Sequence, residues 1–473
     1  MALEDIQTIV VLMLENRSFD HILGYLSLED TPHKMPVEGL SNTQAWRDRF
    51  VNSFEGQHYY SHPLLATEQR FEDPPHERAT IAIQIGTPPF AGSSDFMGGF
   101  VESYVQAKPQ PDNPAAVMGY YPAAAVPVWD FFARNFAVCD HWFAALPTGT
   151  QANRLMAMSG ESSIIDNAPV FLPDQSLVYD WLSEHGVSWC AYQYGEFLPF
   201  FSLMPHWLPE IVTSLTLSQV GGRGRFRRYS KFREHWQGDD PMPSVIFLEP
   251  EYTDGPHANP NDDHPPSGVA KGQLLVAEIY NDLISNPARW QNTLFIVTYD
   301  EHGGFFDHVP PLPIPQKAGG YAFKTTGVRV PALVISPQVE AGHVFNGALD
   351  HTSILQLLAD RFNPNQDYSA AVGARQSQLA ALADVLSPPP TTARAPEIPA
   401  VVLDFLRGLL PEASPENTFG APGAAANSQA MDNAAAKVAQ DHPELLKMPA
   451  WRALSNFLKE NQGPPSFGDV TSS

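Results

Sequence analysis

The stretch TYDEHGGFFDHVPPLP, residues 298–313, is the most informative segment of this chain. An apolar run at residues 294–299, LFIVTY, leads directly into Asp300, Glu301 and His302, and two glycines follow. In an open α/β sheet, ligands bind where the carboxyl ends of the strands meet the loops. A buried strand that ends in two carboxylates and an imidazole therefore predicts a metal or phosphoryl site. An exposed acidic turn is the alternative that these residues alone leave open.

The glycines of this stretch, Gly303 and Gly304, are predicted to let the backbone approach a ligand closely or adopt a positive φ. Apolar runs ending in polar residues recur along the chain and are typical of strands covered on both faces. They lie at residues 8–16, 136–144, 244–252, 292–302 and 328–337. Helical patterns lie at residues 126–136, 271–285 and 351–362. This alternation predicts an α/β sandwich whose mostly parallel central sheet is flanked by helices.

At the start of the last helical pattern, Asp350 or Thr352 is predicted to cap the helix. We expect one large domain over residues 1–384 and a Pro-rich linker over residues 385–400. Residues 401–473 are predicted to form a short helical or irregular accessory segment, with an amphipathic helix in the run AAAKVAQDHPELLKMPAWRALSNFLKE. The basic run GGRGRFRRYSKFR, residues 221–233, is interpreted as a solvated surface loop, with a docking surface for an anionic group as the alternative.

The charge of the chain limits its partners. The formal net charge is −24, which argues against non-specific binding to nucleic acid or to an anionic membrane, because both need a basic surface. An anionic substrate would have to meet a local cation, which a bound metal together with histidines would supply. No stretch reaches the roughly 18 apolar residues of a membrane span, so we expect no transmembrane segment and at most transient contact with a membrane surface.

The start of the chain, MALEDIQTIVVLMLEN, has acidic residues before its apolar run and lacks a small-residue cleavage site. We therefore expect no signal peptide, and either a cytoplasmic location or export by a leaderless or specialised route. Cys139 and Cys190 sit among apolar residues and are predicted to be buried free thiols.

Two further strand ends carry polar groups. The first apolar run ends in Glu15 and Asn16, and the second leads to ALPTGTQANR, where Thr148 and Thr150 precede a helix. A hydroxyl at a helix N-terminus faces free backbone N–H groups, which favour a phosphate, although a helix cap is the alternative role. Carboxylate, amide and hydroxyl oxygens together suit a hard or borderline divalent cation. A metal that touched a threonine oxygen would activate this otherwise poor nucleophile.

Several histidines lie in polar contexts flanked by Pro or Gly, and they are His76, His264, His302, His308 and His351. A single histidine is more often structural than catalytic. A group of them predicts that some contact the non-bridging oxygens of a phosphoryl group or protonate a leaving group.

These motifs occur together in a recognisable order. The order is ENRSFDHILG, DPPHE, LPTGTQANR, NDDHPP, TYDEHGGFFDHVPP, GVRVPALVISP and DHTSIL. Over about residues 5–365 the chain resembles the bacterial phosphoesterase family, which includes phosphatidylcholine-hydrolysing phospholipases C, related acid phosphatases and plant non-specific phospholipases C. The resemblance implies an alkaline-phosphatase-like fold for the phosphoesterase catalytic domain, one divalent metal of unknown identity and a hydroxyl nucleophile.

Matched residue by residue, the resemblance implies that the metal ligands are Glu15, Asn16, Thr150, Asp300 and Glu301. Thr150 is also the implied nucleophile, and His76 and His264 are the implied phosphate-contacting catalytic histidines. Another family histidine lies in a region that does not align. His206 is the candidate for it, ahead of His235 and His257.

His302 and His351 are further candidates for substrate binding, or for support of the site together with Asp350. Two features depart from the family pattern. The usual proline before the Asn-Arg pair is Ala152, and the export signal and longer C-terminal domain of many phosphatidylcholine-specific members are not found in this sequence. The second departure weakens the inference of a secreted lipase.

The predicted function is therefore a metal-dependent phospholipase C that cleaves phosphatidylcholine-like lipids to diacylglycerol and a phosphorylated headgroup through a phospho-threonine. An acid phosphatase acting on soluble phosphomonoesters is the alternative, and an inactive effector that binds phosphate or lipid is the second. An apolar rim beside the site would favour a lipid substrate, and FLPFFSLMPHW, residues 197–207, is the candidate for it. The sequence does not fix the oligomeric state.

Overall fold

An eight-stranded sheet forms the centre of the computed structural model, which describes residues 2–66, 70–86, 96–107, 110–167, 172–195, 199–204, 206–219, 224–253, 259–387 and 393–410. In chain order the strands are β1 Thr8–Leu14, β2 Ala137–Cys139, β3 Trp189–Gln193, β4 Phe226–Arg228, β5 Val245–Glu249, β6 Thr293–Tyr299, β7 Ala332–Ile335 and β8 His343–Phe345. Across the sheet their order is β8-β2-β7-β6-β1-β5-β3-β4.

Most neighbouring strands in this sheet run parallel. Strands β6, β1, β5, β3 and β4 are parallel in succession, β8 is parallel to β2, and β7 is antiparallel to both of its neighbours. The predicted α/β architecture with a mostly parallel sheet is therefore confirmed. The β1–β6 register aligns Leu14 with Tyr299. The polar residues that follow these two strands consequently emerge side by side at one edge of the sheet.

Helices surround the sheet. The α-helices are Ala2–Asp5, Phe19–Ile22, Gln44–Arg49, Arg78–Ile85, Phe100–Tyr104, Pro127–Asn135, Thr150–Ser159, Val178–Glu184, Leu208–Gln219, Phe232–Gln237, Ala270–Ile284, Pro287–Trp290, Thr352–Phe362, Ala370–Gln376 and Ala400–Leu409. The 3-10 helices are Gly24–Ser27, Pro114–Met118, Phe200–Leu203, Tyr229–Lys231 and Leu382–Val385. All three helical patterns predicted from the sequence are present. The last of them has His351 at its N-cap, with no capping hydrogen bond from that side chain. The Thr352 amide and hydroxyl both donate to the carboxylate of Asp350, at 2.8 and 2.6 Å.

Short strand pairs complete the described structure. They are Asn52–Phe54 with Gln57–Tyr59, His62–Pro63 with Gly119–Tyr120, Trp142–Phe143 with Leu349–Asp350, and Gln316–Ala318 with Tyr321–Phe323. Cys139 and Cys190 are buried free thiols, as predicted. Within the described ranges, no helix is both long and apolar enough to cross a bilayer.

The basic run differs from its interpretation as a loop. Within it, β4 forms the edge strand of the sheet, and its residues Arg227 and Arg228 are half-buried. Arg227 donates to the Tyr192 hydroxyl at 3.1 Å, and Arg228 donates to the Gly195 carbonyl at 2.7 Å. Charged side chains on an edge strand hinder pairing with a strand of another chain. The sheet therefore ends at β4.

The last described segment, residues 393–410, lies against the sheet-containing domain. The Trp290 indole donates to the Arg394 carbonyl at 2.7 Å, and the Tyr280 hydroxyl donates to the Pro396 carbonyl at 2.6 Å. Leu406 of the following helix is fully buried. The amphipathic helix predicted further along the chain lies outside the described residues, and the domain boundaries stay a prediction.

Candidate active site

The ends of β1 and β6 bring together the carboxylates and the amide predicted to bind metal. The Asp300 amide donates to the Leu14 carbonyl, and the Arg17 amide donates to the Glu301 carbonyl, both at 3.1 Å. Asn16 has a φ of 63°, in the left-handed region, and its amide donates to Asp300 Oδ1 at 3.1 Å. The turn after β1 is therefore fixed to the turn after β6 by backbone and side chain together.

The side chain of Thr150 joins this group from the first turn of its helix. Its hydroxyl donates to Asn16 Oδ1 at 3.5 Å, and the residue is buried. The neighbouring hydroxyl of Thr148 instead donates to the Ile165 carbonyl at 2.6 Å and to the Asp166 carboxylate at 3.0 Å. The structure thus places Thr150, and not Thr148, against the predicted metal ligands.

The turn before Thr150 is held by Asn153, the first residue of the Asn-Arg pair. Asn153 Oδ1 accepts from the Leu146 amide at 2.9 Å. Its amide group donates to the carbonyls of Thr148 at 2.7 Å and Gly149 at 3.2 Å. These bonds close the LPTGT turn around one buried side chain and fix where the helix begins.

Arg154 supplies a buried cation that the sequence analysis did not assign. Its guanidinium donates to Glu15 Oε1 at 3.0 Å and lies 3.8 Å from Asp300 Oδ2. The rings of Phe200 and Tyr252 lie 5.1 Å from it. Burial raises the pKa of both Glu15 and Asp300, and the Arg154 charge opposes that shift. Arg154 follows Thr150 by one helical turn, a spacing that puts both side chains on one face of the helix. From the sequence, this spacing could have predicted that Arg154 lies beside the site.

The donor set fits a divalent cation. Asp300 Oδ2 and Glu301 Oε1 are buried and have no hydrogen-bond partner among the described residues. Native proteins rarely leave a buried carboxylate oxygen unpaired, and a hard or borderline cation would satisfy both atoms. The Gly303 amide donates to Glu301 Oε2 at 2.8 Å, and the Arg154 guanidinium donates to Glu15 Oε1 at 3.0 Å. Each carboxylate therefore keeps one oxygen for a metal.

His76 and His264 face each other beside these ligands. Their ring centroids are 5.8 Å apart with planes at 85°, and a side-chain ligand atom of each lies within 4.8 Å of a carboxylate oxygen of Asp73. His76 Nδ1 donates to the Pro74 carbonyl at 2.7 Å, and its Nε2 lies 3.3 Å from Asn16 Nδ2. This group could receive the oxygens of a phosphoryl group or hold a second cation.

The pKa of His76 is raised to about 9, because Glu301 and Asp73 outweigh the effect of burial, which lowers it. The same pairing keeps the pKa of Glu301 below its usual value, although burial alone would raise it. The two carboxylates therefore favour the protonated form of the His76 ring.

The two glycines in the stretch at residues 298–313 lie against other parts of the protein's own chain. Gly303 and Gly304 have φ values of 62° and 72°. A Cβ on Gly303 would lie 2.2 Å from the Asn16 carbonyl oxygen, and one on Gly304 would lie 2.7 Å from Pro74 Cβ. The predicted positive φ is confirmed, but the close approach is to the protein's own backbone and to the segment that carries His76.

His302 and His351 support the carboxylates from behind. His302 lies 3.3 Å from Glu301 Oε2 and 2.7 Å from Gln84 Oε1. His351 Nε2 donates to the Asp300 carbonyl at 2.6 Å, and its Nδ1 accepts from the Trp142 indole at 3.2 Å. Both rings are buried, and burial lowers the pKa of His351 to about 4. This geometry favours the supporting role for both over direct substrate binding, which stays a prediction.

His308 belongs to a separate buried cluster. Its Nδ1 lies 2.6 Å from Asp20 Oδ2, and Arg329 lies 3.2 Å from Asp20 and 3.0 Å from Asp307. Arg329 also donates to the Glu38 carbonyl at 2.7 Å. Because Arg329 already supplies the cation for these carboxylates, the cluster fixes the end of the 298–313 stretch and does not resemble an available metal site.

The remaining histidine candidates do not join the group at the ends of β1 and β6. His206 is exposed and lies 3.0 Å from Asp174 and 4.0 Å from Asp180. His235 Nδ1 lies 2.8 Å from the Tyr192 hydroxyl. His257 lies outside the described residues. The unaligned family histidine thus has no counterpart among the described contacts of the site.

The aromatic run proposed as a lipid-facing rim is mostly buried. Phe201, Met204 and Trp207 are in the core. Phe201 and Trp207 pack edge-on against Tyr179, with centroids 6.2 Å and 5.3 Å apart. Only His206 is exposed among those members of the run whose burial is described. Phe201 and Trp207 thus pack against helix Val178–Glu184 and are not available to a lipid surface. Phe200 is half-buried, and its ring lies 5.1 Å from the Arg154 guanidinium.

Comparisons with known proteins identify the family of this chain. The Phosphoesterase family model matches residues 6–364. Non-specific phospholipase C3 of Arabidopsis thaliana is 33% identical over 386 residues, covering 76% of this chain and 70% of the relative. Phospholipase C B of Mycobacterium tuberculosis is 29% identical over 423 residues, covering 76% and 74%.

Among solved structures, an alkaline phosphatase superfamily protein from Vibrio parahaemolyticus aligns with a TM-score of 0.32 and 15% identity, covering 50% of this chain and 60% of that one. A phosphonate monoester hydrolase of Agrobacterium radiobacter aligns with a TM-score of 0.31 and 13% identity, covering 50% and 69%. The match to the family model spans most of the sheet-containing domain, including every residue of the site described above. The chain therefore belongs to the Phosphoesterase family, and it is a hydrolase of phosphoric esters.

Proposed function

We propose that this phosphoesterase is a metal-dependent phospholipase C that uses Thr150 as its nucleophile. The observation that carries the proposal is the position of the Thr150 hydroxyl, 3.5 Å from Asn16 Oδ1. The unpaired oxygens of Asp300 and Glu301 belong to the same group of side chains. A hydroxyl at the start of a helix, next to unsatisfied carboxylate oxygens, suits an activated nucleophile better than a structural cap.

A divalent metal would be held by Glu15, Asn16, Thr150, Asp300 and Glu301, the residues that the family resemblance implies. When bound, it would lower the pKa of the Thr150 hydroxyl and offset negative charge on the phosphoryl group.

In the first step Thr150 Oγ1 forms a bond to phosphorus while the bond from phosphorus to the diacylglycerol oxygen breaks. The hydroxyl loses its proton to solvent. His76 contacts the phosphoryl oxygens and stabilises the charge that develops there. His264 donates a proton to the departing alkoxide.

In the second step water attacks the phospho-threonine. Neutral His264 accepts a proton from that water, and the bond between phosphorus and Thr150 Oγ1 breaks. Thr150 Oγ1 takes up a proton from solvent, which replaces the one lost in the first step. The phosphorylated headgroup leaves, and the His264 imidazolium is restored. His264 thus serves as acid in one step and base in the next.

The proposed substrate class rests on the relatives, whose names describe phospholipases C. Phosphatidylcholine-like lipids are therefore the first candidate. One structural observation favours soluble phosphomonoesters as the second candidate, namely the burial of Phe201 and Trp207 in the predicted lipid-facing run. Both reactions would use the same atoms at phosphorus.

Two measurements test this proposal. Purified protein with added divalent metal is assayed on vesicles of several phospholipids and on soluble phosphomonoesters, and the products are identified. Formation of diacylglycerol and phosphocholine from phosphatidylcholine would support phospholipase C activity. Release of inorganic phosphate from monoesters alone would favour phosphatase activity.

The matched variants are Thr150→Ala, Thr150→Ser and Thr148→Ala. We expect Thr150→Ala to lower kcat by about a thousandfold or more, Thr150→Ser to keep substantial activity, and Thr148→Ala to stay near wild type. Activity of Thr150→Ala near wild type would refute this nucleophile. Absence of hydrolysis by the wild type on every substrate would favour the effector alternative.

A further inference from the structure

The guanidinium of Arg17 is bound to the loop that carries His264. Arg17 is fully buried. Its Nε donates to the Asp263 carbonyl at 2.9 Å, and one terminal nitrogen donates to the Ser267 carbonyl at 2.8 Å. These two carbonyls lie on either side of His264 in the chain. A single planar side chain therefore spans the segment that presents the imidazole.

Arg17 is itself held in place from several sides. Its guanidinium lies over the Phe305 ring at 4.6 Å, and its other terminal nitrogen lies 3.1 Å from His21 Nε2. His21 Nδ1 donates to the Gly119 carbonyl at 2.8 Å, which leaves Nε2 as the acceptor for Arg17. The Arg17 amide donates to the Glu301 carbonyl at 3.1 Å. The position of this guanidinium is thus tied to the metal-ligand turns.

The loop needs such a restraint. Asp263, directly before His264, has a φ of 72°, which is uncommon for a residue with a side chain and persists only where its surroundings impose it. Besides Arg17 on its carbonyl, the Tyr299 hydroxyl donates to its carboxylate at 2.6 Å. No carboxylate within the described ranges forms an ion pair with Arg17 at 4.0 Å or less, so its donors serve backbone carbonyls and the His21 ring.

We propose that Arg17 is a positioning residue for His264, fixing the imidazole against the phosphoryl group by holding both flanking carbonyls. The inference rests on the proposed function, in which His264 exchanges a proton with the leaving group and with water. A proton-transfer group must lie within hydrogen-bond reach of its partner. Small displacements of the loop therefore reduce turnover more than they reduce substrate binding.

Arg17→Lys is the direct test, because an ammonium can bond one carbonyl but cannot bridge two as the guanidinium fork does. We expect kcat to fall by about 10- to 100-fold, KM to change less than about threefold, and metal affinity measured by calorimetry to stay within about threefold of wild type. A large loss of metal affinity would place Arg17 in the metal site and overturn the inference.

A double-mutant cycle with His264→Asn separates positioning from general damage to the fold. If Arg17 acts through His264, Arg17→Lys changes kcat less than about twofold once the imidazole is gone. An equal loss in both backgrounds would overturn the inference. If Arg17→Lys does not fold, the cycle is repeated with Tyr299→Phe, which removes the hydrogen bond from the Tyr299 hydroxyl to the Asp263 carboxylate. An effect on kcat that disappears in the His264→Asn background would support positioning of His264 through this loop, and an equal loss in both backgrounds would overturn it.

The result is distinguishable from a failure of the proposed function. Near-wild-type activity of His264→Asn itself would refute the catalytic role of His264 and with it the mechanism. A severe loss in His264→Asn together with independent effects of the two changes would refute only the role of Arg17.

Discussion

Thr150 Oγ1 lies 3.5 Å from Asn16 Oδ1, although 134 residues separate the two in the chain. The contact joins the end of the central strand β1 to the first turn of helix Thr150–Ser159. An amide oxygen and a hydroxyl this close can serve as ligands of one cation. The relationship therefore connects the proposed nucleophile to the proposed metal.

Asp300→Asn tests the metal site with little change in shape. Asp300 Oδ1 accepts from the amides of Asn16 and Glu301 at 3.1 and 2.7 Å, and Oδ2 has no hydrogen-bond partner among the described residues. An asparagine can keep the first oxygen and replace the second by NH2. Since loss of an indirect support of a ligand typically costs about 10- to 100-fold in metal affinity, we expect a loss of about 100-fold or more by calorimetry.

The matched variant for this experiment is Asp73→Asn. We expect one metal per chain, by elemental analysis, in both wild type and Asp73→Asn. Two metals in the wild type and one in Asp73→Asn would show instead that Asp73, His76 and His264 hold a second cation. Unchanged affinity in Asp300→Asn would contradict the proposed ligand set.

Arg154→Met is expected to destabilise the metal-free protein. It would leave Glu15 and Asp300 buried without their cation, and removing one partner of a buried pair costs about 3 to 5 kcal/mol. Added divalent metal should restore part of the lost free energy of unfolding. Arg407→Met is the control, because Arg407 pairs with Asp404 at 2.9 Å and both side chains are exposed, at 61% and 71%. Such pairs contribute about 1 kcal/mol or less.

The measurement for this pair is denaturant unfolding with chelator and again with metal. Equal stability of the two variants in chelator would contradict a role for Arg154 in balancing the carboxylates.

The sequence predicted the central part of the fold and less of its periphery. Strands β1, β2, β5, β6 and β7 were found because continuous apolar runs mark strands that are buried on both faces. The regions of β3, β4 and β8 were not assigned as strands. These strands have three to five residues each, and β4 contains two arginines. Their position depends on the neighbouring strands, which a local pattern does not show.

The sequence predicted which carboxylates meet at the candidate site, and their role as metal ligands stays a prediction. It did not predict what surrounds them. Glu15 and Asp300 were found because each follows an apolar run, whereas Arg154 looked like an ordinary helix residue. The aromatic run around Phe201 could not be placed because hydrophobicity is the same for a core and for a lipid-facing rim. Only the packing against Tyr179 distinguishes them.

His141 should make the stability of the fold depend on pH. Its pKa is raised because it hydrogen-bonds the Asp140 carboxylate at 2.8 Å, an effect that outweighs partial burial, and because Glu38 lies 3.0 Å away. A histidine with a raised folded-state pKa stabilises fully below its unfolded pKa of about 6.5. That stabilisation is lost as pH rises through the folded-state pKa.

We therefore expect His141→Gln to lower Tm at pH 6, and we expect its difference from wild type to shrink as pH rises through the raised folded-state pKa of His141. Melting curves measured in chelator over a range of pH check this. A difference in Tm that is constant, or larger at high pH, would show that the His141 charge does not contribute.

Tyr321→Ser tests contact with a lipid surface. Tyr321 is 44% exposed, and its ring lies 4.9 Å from the guanidinium of Arg78, two residues after His76. If this edge meets the bilayer, loss of the ring should lower turnover on phosphatidylcholine vesicles by about three- to tenfold, with little change on a soluble chromogenic phosphate ester.

Val401→Ser is the matched variant, because Val401 is 72% exposed on helix Ala400–Leu409. We expect it to leave both activities unchanged. Equal losses for the two variants on vesicles would indicate general adhesion to lipid, and no loss for Tyr321→Ser would remove this edge as the lipid contact.

The most direct test of Thr150 as the nucleophile is identification of the covalent intermediate. Protein turning over phosphatidylcholine is quenched in acid, digested and examined by mass spectrometry, with Thr148→Ala and Thr150→Ala treated in parallel. We expect a phosphocholine adduct on Thr150 in the wild type and in Thr148→Ala, and none in Thr150→Ala. An adduct on another residue, or full turnover by Thr150→Ala, would contradict this expectation.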